Sequence, residues 1–121
     1  MVGKKTLVLG ASLKPSRYSN LAVSRLVANG IETLALGLKE GKIGAVQVQT
    51  DFEDFKDIHT VTMYVGPDHQ PEYFDKILQL KPKRVIFNPG TENPELYKTL
   101  VKNGIEVEEA CTLVLVATGQ Y

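Results

Sequence analysis

The stretch "LVLGASLKPSRYSN", Leu7 to Asn20, decides how this chain is read. An apolar run stops at Gly10 and gives way to small residues, then to Lys14, Arg17, Tyr18 and Ser19. "TLVLG", Thr6 to Gly10, is apolar without alternation and ends in glycine, as a strand buried on both faces does. Ser19–Asn29 follows as a helix: Ser19 is placed to cap it, and Leu21, Val23, Leu26 and Val27 fall on one side. Gly30 supplies the left-handed position that stops it. The stretch is therefore strand, loop, helix.

The same alternation continues downstream. "IETLALG" reads as a second strand and "TVTMYVG" as a third. "QPEYFDKILQLK" is a helix with Pro71 in its first turn. "RVIFNPG" is the fourth strand. "NPELYKTLVKNG" is a helix with Asn93 as cap, Pro94 at its first position and Gly104 as its stop, and "IEVEEA" is the fifth strand. "LVANGIE" (26–32) and "LVKNGIE" (100–106) are nearly the same seven residues, so one helix-to-strand connection occurs twice. Between strands two and three, residues 37–44 read as loop and 45–49 as a short extended piece. Thr50 and Glu53 have capping-box spacing for a turn of helix through Phe55. Residues 111–121 fit a sixth strand or a short docked helix, with helix preferred.

Alternating strands and helices with short links make a parallel sheet with helices on both faces and right-handed crossovers. At 121 residues the expectation is one domain, residues 1–121. With 43% hydrophobic and 23% charged residues the composition is that of an ordinary globular protein. Fourteen basic and fourteen acidic side chains give a formal net charge of zero, which argues against a broad grip on nucleic acid or an anionic membrane. The N-terminal apolar run is too short for a signal segment or a membrane span, so a cytoplasmic protein is expected. The single Cys111 can form no intrachain disulfide and lacks zinc-site spacing, so no metal is expected.

In such sheets a ligand lies outside the carboxyl ends of the strands, at the switch point beside strand one. The segments arriving there are "GASLKPSRYS", "GLKE", "VGPD" and "NPGTE", each containing glycine. A dinucleotide fingerprint would read G-x-G-x-x-G, but Gly10 is followed by Ala11, Ser12, Leu13, Lys14 and Pro15. Strand two ends at Leu36-Gly37-Leu38, with no carboxylate until Glu40, so NAD is disfavoured. No G-x-x-x-x-G-K-[ST] motif occurs. The first loop instead offers two cations, hydroxyls on Ser12, Tyr18 and Ser19, and a helix N-terminus whose free amides and dipole attract anions.

The pattern G-A-S-x-K-P-x-R-Y-S-N, the Gly-Pro after strand three and the late "NPGTENPELYKTLVKNGIEV" resemble the CoA-binding domain family, over nearly the whole chain. Its members are small stand-alone bacterial proteins similar to the N-terminal domain of the succinyl-CoA synthetase α-subunit. The resemblance implies a Rossmann-like three-layer fold with a five-stranded, mostly parallel sheet and coenzyme A, or an acyl-CoA, across the strand ends. It implies that Gly10, Ala11, Ser12, Lys14 and Arg17 face the phosphates, the cations suiting the 3′-phosphate, with Tyr18 and Ser19 completing the cradle. Gly37, Leu38 and Lys39 would flank the adenosine. Val65, Gly66 and Pro67 would lie against adenine or pyrophosphate, and Asn88, Pro89 and Gly90 would line the pantetheine side. The chain departs from the pattern at Gly37 and Gly66, where relatives commonly carry proline.

No catalytic constellation accompanies this loop. His59 and His69 lie in or near loops without the Ser, Cys or carboxylate partners of a triad. His69, after strand three, is near the expected ligand edge. Cys111 reads first as a small buried hydrophobe, and second as a thiol that meets the coenzyme's own. Asp51, Glu53, Asp54 and Asp57 read as a solvated face around an amphipathic turn with Phe52 and Phe55 inward. The expectation is a non-catalytic coenzyme A-binding module. Its rivals are a small NADP-linked oxidoreductase, whose 2′-phosphate also suits Lys14 and Arg17, and a nucleotide-sensing regulatory domain. The latter would dock a protein partner, or a second copy, through an exposed "LVLVATGQY".

Overall fold

The computed structural model describes residues 3–52 and 55–121. The opening stretch folds as read: β1 (Thr6–Ala11), a loop, then α1 (Tyr18–Ala28). Thr6 to Leu9 are fully buried, as a central strand covered on both faces requires. At Gly10, whose φ is +95°, the pairing register shifts by one residue. The chain bulges there and turns toward the loop.

The remaining elements are β2 (Thr33–Gly37), β3 (Gly41–Ile43), β4 (Val46–Gln49), β5 (Thr60–Met63), α2 (Phe74–Leu80), β6 (Arg84–Phe87), α3 (Pro94–Lys102), β7 (Glu106–Glu109) and α4 (Thr112–Ala117). The sheet order is β3-β4-β2-β1-β5-β6-β7, parallel throughout except for the β3–β4 pair. Chain order runs outward from β1 in one direction and then returns to its other side, so the switch point lies between β1 and β5.

Seven strands stand where five were expected. The extra two form a small antiparallel hairpin: β4 adds to the open edge of β2, and β3 folds back on it. Residues 45–49, read as a short extended piece, contain β4, whereas β3 was read as loop: with only Ile43 buried, three residues carry too little apolar alternation to be seen locally.

One core lies on each side of the sheet. Val8, Ala35 and Ile86 pack with Val23 and Leu26 of α1, and with Leu115 and Val116 of α4. Leu7, Leu9, Val61, Met63, Val85 and Phe87 pack on the other face with Ile77 of α2 and Leu96 and Leu100 of α3. The expected apolar side of α1 is narrower than drawn. Val27 is largely exposed, and Ser19 and Asn20 are buried instead.

The repeated heptapeptide is one motif used twice. Ile31 N–H donates to Leu26 O at 3.0 Å and Gly30 N–H to Val27 O at 3.0 Å. Ile105 N–H donates to Leu100 O at 2.9 Å and Gly104 N–H to Val101 O at 3.0 Å. These are Schellman closures, with glycine left-handed and an isoleucine folded back on a helix leucine. The first closure belongs to one core and the second to the other.

The helix expected to begin with Pro71 in its first turn starts differently. Pro67–Tyr73 form a 3₁₀ segment enclosing Pro71, and α2 begins only at Phe74. Asn93 caps α3 as read, accepting from Leu96 N–H at 3.3 Å, with Pro94 directly after it. Glu53 and Asp54, part of the expected short turn and acidic face, lie outside the described residues. Phe55 is buried and its ring meets Phe52 edge-on.

Residues 112–117 are helical, and the segment beyond returns under the sheet. Arg84 Nη2 and Lys4 Nζ donate to Tyr121 O at 3.0 and 2.6 Å, and the Tyr121 hydroxyl bonds Thr6 Oγ1. Leu115 and Val116 are partly buried and pack against the core, Leu113 is half-buried and Val114 is exposed, so the apolar run is covered on one side. Among the described residues no helix is long and apolar enough to cross a membrane.

Candidate functional site

Because β2, β1, β5 and β6 lie side by side and parallel, their carboxyl ends bring four connections to one edge: residues 38–40, 12–17, 64–66 and 88–93. Every residue expected to hold the coenzyme belongs to these segments or to the strand and helix ends beside them. The fold collects them without a hinge or a second body.

The first connection is held by side chains from α1. Ser12 N–H donates to Ser19 Oγ at 3.1 Å, and Asn20 Nδ2 donates to Ser12 O at 2.9 Å. Ser12 Oγ in turn accepts from Lys14 N–H at 3.2 Å. Ser19 was expected to cap α1. The N-cap is instead Arg17, without a side-chain cap, and Ser19 and Asn20 from the first turn fasten the loop. The Ser12 amide is thereby committed to Ser19 and is not available to a ligand, while both serine hydroxyl hydrogens can still donate. Asn20 carried no expectation, because an asparagine inside a helix start gives no periodic signal.

The α1 N-terminus consequently has no side-chain cap and no acid in its first turn. Its amides lack an internal acceptor and the positive end of the helix dipole is uncompensated. Around it Lys14, Arg17 and Tyr18 are exposed, Tyr18 at 71%. Among the described residues Lys14, Arg17 and Lys39 join no salt bridge. Leu38 is 89% exposed beside Lys39, an apolar surface next to a cation. Leu13 folds over the start of β3, where its Cδ1 would stand 2.7 Å from a Cβ on Gly41.

The glycines of the edge set backbone spacing. A Cβ at Gly10 would meet Val65 Cγ2 at 2.9 Å, so β1 and the segment after β5 approach closely at the switch point. Gly37 lies against Ala11, with which it pairs in the sheet. Gly66 and Gly90 have open space around them.

Beyond β5, Val65 is half-buried and Gly66 precedes Pro67 at the start of the 3₁₀ segment. Asn88, at the end of β6, is 2% exposed. Its Nδ2 donates to Thr62 Oγ1 at 2.7 Å and Met63 O at 2.9 Å, and its Oδ1 accepts from Thr112 N–H at 2.8 Å. The side chain expected on the pantetheine side thus ties β5, β6 and α4 together, and Pro89 and Gly90 are the exposed residues there. Gly90 N–H donates to Glu92 Oε1 at 2.9 Å.

Gln70 escaped the sequence reading altogether. It is fully buried, donating from Nε2 to Val65 O at 2.9 Å and to Thr91 O at 2.7 Å, and accepting at Oε1 from Asn93 Nδ2 at 3.0 Å. A glutamine beside Pro71 at an irregular helix start looks like surface, and only the meeting of two loops reveals its place.

The Tyr64 hydroxyl is buried with no hydrogen-bond partner among the described residues, and burial, then Cys111, push its pKa up against the opposing effect of the nearby Thr62 and Thr112. It stays a neutral phenol. Cys111 is half-buried at the N-cap of α4, more open than a small core residue. His69 is exposed in the 3₁₀ segment, and His59 lies at the opposite, amino end of the strands beside Thr60. Among the described residues no group of three or more His, Cys, Asp or Glu is placed to hold a metal ion.

A family model described as "CoA binding domain" matches residues 4–117. The crystal structure of an uncharacterized protein superposes with a TM-score of 0.95 at 43% identity, over 100% of both chains. A hypothetical protein from Pyrococcus horikoshii OT3 superposes with a TM-score of 0.84 at 25% identity, over 93% of this chain and 81% of that one. A dinucleotide-forming acetyl-coenzyme A synthetase from Ca. Korarchaeum cryptofilum shares the fold at 17% identity and a TM-score of 0.74. That match covers 88% of this chain and 25% of the synthetase. Among the curated proteins none matches.

Proposed function

As the chain belongs to the CoA binding domain family, we propose that it holds coenzyme A, or an acyl-CoA, across the carboxyl ends of β2, β1, β5 and β6, as a binding module without catalysis of its own. The observation that carries this reading is the first loop. Lys14 and Arg17 are exposed and unpaired among the described residues, and they flank an α1 N-terminus that has neither side-chain cap nor acid.

A pyrophosphate fits the α1 amides and the hydroxyls of Ser12, Tyr18 and Ser19. The two cations suit the additional 3′-phosphate through charge-assisted hydrogen bonds. Leu38 and the stem of Lys39 offer an apolar shelf to the adenine, with the backbone of Gly37 below it. Val65, Gly66 and Pro67 face the middle of the ligand across the close approach at Gly10 and Ala11, and Pro89 and Gly90 face the pantetheine arm. A non-catalytic role is supported by the position of His59 at the far end of the sheet and by Tyr64, whose raised pKa leaves it a poor base.

Calorimetric titration with coenzyme A, dephospho-coenzyme A and NADP⁺ tests the reading. A micromolar constant for coenzyme A corresponds to about −8 kcal/mol. Coenzyme A is expected to bind tightest and NADP⁺ to bind clearly more weakly. Heat with NADP⁺ and silence with coenzyme A would overturn the proposal in favour of a reductase.

A further inference from the structure

We infer that Gln70 is a positioning residue that fastens the segment after β5 to the segment after β6, so that a ligand ordering one side of the edge also orders the other. The inference rests on the coenzyme A reading, which sets the middle of the ligand, at its pyrophosphate, against Val65 and Gly66 and the pantetheine arm against Pro89 and Gly90.

The bonding of Gln70 admits one orientation. Two main-chain oxygens, of Val65 and Thr91, need donors, and Asn93 Nδ2 needs an acceptor. Flipping the amide would face oxygen against two oxygens and nitrogen against nitrogen. On the β6 side the bonds run on. Thr91 returns to Asn88 O through both its N–H, at 3.0 Å, and its Oγ1, at 2.7 Å. Asn93 also caps α3.

A displacement of Val65 therefore breaks its part-buried bond from Gln70, breaks the buried bond from Gln70 to Thr91, or carries residues 88–93 with it. Buried groups left without partners are costly, so the two segments move as one. A ligand that orders the first has already met part of the cost of ordering the second. The sequence neighbours of Gln70, His69 and Pro71, are exposed.

The test uses adenosine 3′-phosphate 5′-diphosphate, the nucleotide half of coenzyme A, which lacks the pantetheine arm proposed to meet Pro89 and Gly90. Amide hydrogen exchange is followed at Thr91 with and without saturating nucleotide. In the wild-type chain exchange at Thr91 should slow by at least about fivefold, the low end of ordinary coupling. In Gln70→Met it should not change on adding nucleotide. Gln70→Glu serves where that variant fails to fold, because it keeps the side-chain length and the acceptor for Asn93 and loses the amide that donates to the Val65 and Thr91 oxygens.

A merely structural role would lower overall stability in these variants yet leave the nucleotide-dependent slowing intact. That result overturns the inference, as does a wild-type chain that binds the nucleotide without slowing Thr91. A wild-type chain that binds neither the nucleotide nor coenzyme A overturns the coenzyme A reading itself, and this inference falls with it.

Discussion

Gly37 lies so close to Ala11 that a Cβ at this position would overlap the Ala11 main-chain oxygen. The two residues pair where β1 and β2 end, just past the bulge at Gly10. Gly37→Ala must push the two strand ends apart. A loss of about 1–3 kcal/mol is expected, as for other overpacked sites. It should appear as a lower urea midpoint with an unchanged slope.

Lys14→Ala and Arg17→Ala remove exposed cations and should leave stability within about 0.5 kcal/mol of the parent. Each should weaken coenzyme A by about 1.5 kcal/mol, the low end for charged hydrogen bonds because both groups are solvated. Dephospho-coenzyme A should be affected far less. Equal losses for the two ligands, measured by calorimetry, would move the cations from the 3′-phosphate to the pyrophosphate.

Asn88→Asp exchanges an amide that donates to Thr62 and Met63 for a carboxyl facing the same acceptors, at a position 2% exposed. An unpaired charge or a lost pair of donors in such a place costs about 3 kcal/mol. Chemical denaturation should show that loss, and the Thr112 amide should exchange faster.

The pKa of His59 is lowered from its ordinary 6.5, first by burial and then by Arg84, Lys4 and Lys83, with Glu106 opposing. Its Nδ1 faces Thr60 Oγ1 at 2.8 Å, and that oxygen already accepts from Arg84 Nε at 2.9 Å. The Thr60 hydrogen is thus left for a neutral ring. The unfolded chain takes up a proton near pH 6.5 and the folded chain only lower, so stability is level above that pH and falls as pH drops through the folded value. Between pH 7 and 5.5 the wild-type urea midpoint should fall more than that of His59→Gln; parallel curves would show that His59 is not the responsible group.

Much of this architecture can be read along the chain because it rests on neighbours in sequence. A strand covered on both faces must be apolar throughout, and "TLVL" is. Schellman closures need a glycine between a helix leucine and an isoleucine, and the chain writes this twice. Asn93 and Pro94 start a helix wherever they fall. The cations after β1 are likewise visible, since nothing local can bury them.

What escaped depends on distant partners. The β3–β4 hairpin exists because β2 offers it an edge. Ser19 has the residue type of a cap but sits two residues inside the N-cap at Arg17, and bonds Ser12 across the loop instead. Gln70 and Asn20 look in sequence like surface amides at helix starts, and Asn88 like a loop amide at a strand end.

By itself, then, the sequence determined the alternation of strands and helices, the place of the switch-point loop and the charge available to a phosphate, because propensity, patterning and helix stops act within a few residues. Tertiary structure alone decided which polar side chains face a ligand and which hold the loops. An amide satisfies whatever donors and acceptors the folded chain brings within 3 Å of it, and for Gln70 and Asn88 these include oxygens 21 and 25 residues away.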